Sequence, residues 1–200
     1  MARLDRLAAV KDVVQLGATI GPEFDYSLLA AVSPRVEAAL QAALVQLCDA
    51  DLITQRGQLP EATYRFQRAL IQDAAYQSLL RSTRQHGHQR IAQVLETQFP
   101  ETAQMQPALV GYHALHGAVW DKALMYLKRA GFQAKEQSAY REALNCLEQA
   151  LEALSHLPDT RNKQEQALIS GSNCQCTRAT PGICAEPRAG ARGRTHRRGA

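Results

Sequence analysis

The sequence lacks the features of a membrane or secreted protein. No apolar run approaches the ~18 residues that a membrane-spanning helix needs, and the N-terminus has no apolar core of a signal peptide. Aromatic residues are scarce, at 6%, although 46% of the 200 residues are hydrophobic. This composition favours packed helices over a β-sandwich or barrel. We therefore expect one or two small, mainly α-helical domains in the cytoplasm and no membrane partner.

The motifs of common catalytic sites are missing as well. No Gly-x-x-x-x-Gly-Lys-Ser/Thr occurs, so the chain has no backbone cradle for nucleotide phosphates. No Gly-x-Ser-x-Gly occurs, and no spacing among Ser, His and Asp selects a catalytic triad. The sequence therefore predicts a chain that is not an enzyme and that holds no cofactor itself.

Positive charge is concentrated at one end of the chain. The net charge is +4, but six of the 23 basic residues and only one of the 19 acidic residues lie in 171–200. Residues 1–170 therefore hold 17 basic and 18 acidic residues and are nearly neutral. A DNA-docking face needs Lys and Arg where it meets the phosphates, so this balance argues against nucleic acid as the partner.

Three helices are predicted in the first 50 residues. Apolar spacing predicts a helix over 4–16 that ends near Gly17, and the Gly-Pro pair at 21–22 predicts a turn before a short helix around 26–29. Ser33 followed by proline is typical of an N-cap, so the third helix is predicted to run from there to about residue 50. Its expected apolar stripe is Val36, Leu40, Ala43, Leu44 and Leu47.

A short hairpin follows these helices. Residues 52–55 and 62–66 are rich in β-branched and aromatic side chains and are separated by turn residues. A helix is predicted over 68–80, and a further helix ends at 99–100. The apolar residues expected in that last helix are Ile91, Val94 and Leu95. The order of helices and hairpin predicts a winged-helix-like region over 1–103.

Residues 107–168 show a helical repeat. Two apolar stripes of identical spacing are shifted by 20 residues, and their members are Trp120, Leu124, Leu127, Gly131 and Ala134, then Tyr140, Leu144, Leu147, Leu151 and Leu154. Small residues that allow close helix packing recur in the same way, as Gly111, Ala123 and Ala130, then Gly131, Ala143 and Ala150. The 34-residue window 124–157 resembles a tetratricopeptide repeat. About three units are needed for a stable stack, so we expect the start of a longer array.

Residues 169–200 lose this periodicity. Gly, Pro, Arg, Thr and Cys dominate, and such a segment buries too little apolar surface to offset its ordering entropy. We predict that it is disordered. The abrupt change in composition is also what translation in a shifted reading frame produces.

Taken together, four stretches resemble a known family. Residues 1–7, 15–21, 64–76 and 79–84 are similar to large bacterial STAND-type signalling ATPases, which are often fused to class III adenylate or guanylate cyclase domains or to LuxR-type regulators. The similar part, roughly residues 1–168, is the winged-helix region and the first tetratricopeptide-like helices that follow the ATPase domain. The resemblance implies a regulatory, protein-interaction segment whose partner is a nucleotide-binding domain or another protein. In the full-length family, ATP and Mg²⁺ are bound by the domain that this chain lacks.

The chain departs from the family pattern in three ways. It has no P-loop, its helical array stops near residue 168, and Arg68 occupies a position where the family's wing strand usually continues into His-Ala-Leu. We therefore hypothesise that the chain is a fragment of a larger regulator. The resemblance makes Arg68 and Asp73 the candidate regulatory residues, although residues five apart do not face each other on a helix.

Two groups of residues invite a metal-site interpretation. His86, His88, His113 and His116 are near one another in sequence, but no Cys or carboxylate follows at a ligand-like spacing, so surface or interhelical histidines are favoured. Cys174, Cys176, Cys184 and His196 have a weak Cys-x-Cys spacing in the predicted disordered tail. We expect no metal site in either group.

Two other functions remain open on the sequence. One is a stand-alone winged-helix DNA-binding regulator, although its expected recognition segment, residues 33–50, contains only Arg35 as a basic residue. The other is a subunit that completes an ATPase or cyclase with a second chain. We favour the non-catalytic interaction segment.

Overall fold

Helices form most of the structure, a computed structural model that describes residues 10–157. Within that range nine helices and three strands follow one another along the chain. They are α1 (Lys11–Ile20), β1 (Glu23–Asp25), α2 (Tyr26–Val32), α3 (Glu37–Asp49), β2 (Ile53–Arg56), β3 (Thr63–Phe66), α4 (Ala69–Gln77), α5 (Arg81–Gln98), α6 (Pro100–Met105), α7 (Pro107–His116), α8 (Trp120–Glu136) and α9 (Tyr140–Ser155). None of these helices is both long and apolar enough to cross a lipid bilayer.

Helix α1 continues past Gly17, so the predicted helix end at this glycine is wrong. The ring of Phe24 lies against Gly17, where an added Cβ would be 2.8 Å from the Phe24 Cε1 atom. The glycine therefore allows a close approach inside the helix. The helix ends at Ile20, and the Gly21 N–H donates to the Gly17 carbonyl at 3.0 Å. The predicted start of this helix, residues 4–9, lies outside the described residues.

The short helix α2 is confirmed, but the predicted start of α3 is wrong. Ser33 ends α2, with its N–H donating to the Leu29 carbonyl at 2.8 Å, and its Oγ accepts the Arg35 N–H at 3.1 Å. The serine therefore caps the loop between the helices, and α3 begins only at Glu37. Val36 precedes the helix and is 74% exposed, whereas the rest of the predicted stripe is buried: Leu40, Ala43, Leu44 and Leu47.

The predicted hairpin is confirmed, and a third strand joins it. Strand β1 pairs antiparallel with β3, which gives the sheet order β1-β3-β2. The inner sheet face carries Phe24, Tyr64 and Phe66, with ring centroids 5.9 Å apart from Phe24 to each of the other two. Strand β1 has three residues, which is too short for an alternation pattern to reveal it in the sequence.

Helix α5 lies between two buried apolar clusters. The predicted helix over 68–80 ends at Gln77, and α5 begins at Arg81 after a short break. The buried residues of α5 include Ile91, Val94 and Leu95 of the first cluster, but Ala92 belongs to the second. The predicted division between 1–103 and 107–168 therefore falls where both parts pack on one helix.

The 20-residue repeat is present in the backbone of the last three helices. The turn after α7 contains Ala118 at φ 55° and the turn after α8 contains Ser138 at φ 61°. The bond from the Val119 N–H to the Ala114 carbonyl, at 2.9 Å, recurs as the bond from Ala139 to Ala134, at 2.8 Å.

The side chains between these helices repeat as well. A Cβ at Gly111 would lie 2.7 Å from Leu127 Cγ, and a Cβ at Gly131 would lie 2.9 Å from Leu147 Cγ. The predicted small residues are all buried, namely Gly111, Ala123, Ala130, Gly131, Ala143 and Ala150. Residues 158–168 of the predicted repeat region and the predicted disordered tail, 169–200, lie outside the described residues.

Candidate functional site

The exposed face of α3 is apolar and has no basic residue. Ala38, Ala42 and Val45 are exposed, Val45 by 58%. Their spacing of four and then three residues places them on one face of the helix. Glu37 and Asp49, at the two ends of α3, are exposed acids. This face suits contact with another protein surface better than contact with phosphates.

The polar residues expected to serve a recognition helix are bound within the chain. Arg35 donates from Nε and Nη2 to the two carboxylate oxygens of Asp12, each at 2.7 Å, and this hydrogen bonding raises the pKa of the guanidinium. Gln41 Nε2 donates to Tyr26 Oη and to Glu37 Oε1, each at 3.2 Å. DNA readout needs side chains that reach phosphates and base edges, and these two side chains are already engaged.

Arg68 and Asp73, the candidate regulatory residues, are both exposed. Arg68 is in extended backbone, at φ −142° and ψ 136°, directly before α4. Neither side chain has an ion pair or hydrogen bond with another residue in 10–157. The structure does not bring these residues together in a pocket, so their regulatory role stays a prediction.

Two buried histidines join α5 to α7. His88 and His113 are 1% and 0% exposed, and their Nδ1 atoms are 2.9 Å apart. His88 Nε2 is 2.9 Å from Tyr76 Oη, which extends the chain of hydrogen bonds to α4. The rings of Tyr112 and His116 close one side of the cluster, at 5.8 and 5.2 Å from the His88 ring.

This hydrogen-bonded chain requires both imidazoles to be neutral. A bond between two Nδ1 atoms needs one donor and one acceptor, whereas two imidazolium rings would place two protons between them. Burial lowers the pKa of His88 to about 4, with further lowering by His116 and Arg84. Burial likewise lowers the pKa of His113 to about 3, with further lowering by His88 and His116.

One nitrogen of this cluster has no partner. His113 Nε2 is buried without a hydrogen bond in either tautomer of the chain. A buried polar atom without a partner costs about 1–3 kcal/mol, which makes the α5–α7 contact sensitive to changes at the histidines.

The other candidate ligands do not add a metal site to this pair. His86 and His116 are exposed, and no group of three or more His, Cys, Asp or Glu side chains among residues 10–157 is arranged to hold a metal ion. His88 and His113 are interhelical, as favoured by the sequence analysis. The second predicted group, Cys174, Cys176, Cys184 and His196, lies outside the described residues.

The sequence analysis missed the pairing of His88 with His113 and Tyr76. A signal was present, because His88 lies three, four and seven residues before Ile91, Ala92 and Leu95 and so shares their buried face. The identity of its partner depends on how α7 packs on α5, which helical periodicity does not contain.

Comparisons with known proteins give no relative for the chain. No protein-family model, curated protein or solved structure matches it. The functional argument therefore rests on the residues and the geometry described above.

Proposed function

We propose that the chain is a non-catalytic regulatory and protein-interaction segment of a STAND-type signalling ATPase or cyclase-linked regulator. The observation that carries the proposal is the exposed apolar face of α3, formed by Ala38, Ala42 and Val45. This face docks on the nucleotide-binding domain, which supplies ATP and Mg²⁺ binding. Opening and closing of that contact is the switch between two states.

The arrangement of the first half supports the winged-helix part of the proposal. A helix, a strand, two helices and a hairpin follow one another from α1 to β3, and the first strand pairs with the last. Helix α3 then has the position of a recognition helix. Its apolar face, together with Arg35 paired to Asp12, favours a protein partner over DNA.

The arrangement of the second half supports the tetratricopeptide-like part. Helices α7, α8 and α9 are joined by two turns with the same hydrogen bonds, and each glycine receives a leucine from the next helix. Repeated helical hairpins expose surfaces that bind peptides or partner helices. We assign the sensing of a partner or ligand to this half.

The proposal is tested by what α3 binds. If the DNA that flanks the coding sequence encodes a P-loop ATPase domain, that domain should bind the purified chain in calorimetric titrations carried out with ATP and with ADP. Val45→Glu should weaken binding at least about tenfold, because it places a charge in an apolar contact. Met125→Glu is the matched control, since Met125 of α8 is a similarly exposed apolar residue, at 54%.

Three results would contradict the proposal. One is flanking DNA without an ATPase domain, and another is equal binding by the Val45→Glu variant and the unchanged chain. The third is tight, salt-sensitive binding to a short DNA duplex that is lost on deletion of 171–200. This result would favour the alternative of a DNA-binding regulator.

A further inference from the structure

A cleft with an apolar floor lies between α1, the loop after α2 and the start of α5. Its volume is about 320 Å³, which is within the usual range for small-molecule sites. Val13 and Leu16 of α1, Val32 at the end of α2 and Leu79 before α5 contribute its apolar side chains. These residues are buried or half-buried, so the floor belongs to the packed core of this half.

The rim of the cleft has an excess of positive charge. Its charged lining residues are Asp12 and Arg90. Asp12 is bound by Arg35 through two bonds of 2.7 Å, so its charge is balanced. Arg90 is exposed and has no ion pair within residues 10–157.

The surroundings of Arg90 leave its charge uncompensated. The one acidic residue of α5 is Glu96, which is engaged by Lys122 and Tyr126 of α8. Thr83 and His86 line the same wall one and two turns before Arg90 and supply further hydrogen-bonding groups. A guanidinium beside an apolar floor is suited to a carboxylate with an apolar body, because it binds carboxylate oxygens through two parallel N–H donors.

We propose that this cleft binds a small organic acid, with the apolar body on the floor and the carboxylate paired with Arg90. The ligand would contact α1 and α5 together and would tighten their packing. This site is separate from the exposed face of α3, so its test does not depend on the partner proposed for that face.

The test compares an acid with its uncharged amide. Octanoate and octanamide have the same apolar chain, and each is titrated calorimetrically into the full chain at pH 7. Octanoate should bind saturably at one site, and octanamide about tenfold more weakly, because a charge-assisted bond is roughly twice as strong as a neutral one. Arg90→Gln should weaken octanoate about tenfold and leave octanamide unchanged.

Two further variants separate the site from nonspecific binding. Arg81→Gln removes the same charge from an exposed position of α5 outside the cleft, and it should bind octanoate like the unchanged chain. Thr83→Trp places a large ring at an exposed lining position and should weaken both ligands about tenfold or more by filling the cleft. The proposal is overturned if octanoate does not saturate, if acid and amide bind equally, or if Arg90→Gln and Arg81→Gln behave alike.

Discussion

Acidification from pH 7 to pH 5 should lower the free energy of unfolding by roughly 4 kcal/mol, about 2 kcal/mol for each of His88 and His113. The pKa values of these imidazoles in the fold are about 4 and about 3, against 6.5 for an unperturbed histidine. Between these values the unfolded chain binds more protons than the folded chain, so protons favour unfolding. The stability is complete above pH 6.5 and is lost as the pH falls toward 4. Because domains are stable by only about 5–15 kcal/mol, the effect should be large.

Urea unfolding followed by circular dichroism between pH 7 and pH 5 measures this effect. Carboxylates titrate mainly below about pH 4.5, so this interval reports the histidines. His113→Leu should roughly halve the dependence of stability on pH, whereas His86→Gln, at an exposed position, should leave it unchanged. An unfolding midpoint that is constant from pH 7 to pH 5 would contradict the prediction. So would an NMR titration in which His88 and His113 both protonate above pH 5.

Replacing Gly117 by alanine should destabilise the protein by about 1–3 kcal/mol, the usual cost of forcing atoms into a packed contact. A Cβ at Gly117 would lie 2.8 Å from the backbone nitrogen of Gln89 and 2.9 Å from its Cα, in the middle of α5. The glycine is not required by its own conformation, because φ is −80° and ψ is −2°. The obstacle is the backbone of α5, which cannot rotate away as a flexible side chain can.

The repeat provides the matched control for this substitution. Gln137 lies 20 residues after Gly117 in the equivalent turn, with φ −82° and ψ 5°, and it is exposed. Gln137→Ala should change the unfolding free energy by less than about 0.5 kcal/mol. Equal urea midpoints for Gly117→Ala and Gln137→Ala would mean that α5 moves aside without cost, and the close contact would then not hold the two halves together.

Local sequence patterns predicted the elements whose residues report their own surroundings. The stripe Leu40, Ala43, Leu44 and Leu47 announces the buried side of α3 because a helix repeats every 3.6 residues. The glycines and leucines shifted by 20 residues announced the repeated packing of α7, α8 and α9 for the same reason. The hairpin was visible because β-branched and aromatic residues bracket a turn.

The errors arose where a residue serves a distant part of the chain. Gly17 was interpreted as a helix end, although it accommodates the ring of Phe24. Ser33 was interpreted as the cap of α3, although its hydroxyl accepts the N–H of Arg35 in the loop. Strand β1 was missed because three residues form a strand only when β3 lies beside them.

The candidate sites show the same division. The sequence alone determined that α3 has few cations, that the chain lacks the P-loop motif, and that four histidines occur near α5 and α7. Only the tertiary structure decided that Arg35 is bound to Asp12, that His88 meets His113 in the core, and that Arg90 borders an apolar cleft. Each of these contacts joins residues more than 20 positions apart. Helical period and turn chemistry specify neighbours within a few residues, whereas the packing of whole helices brings such distant side chains together.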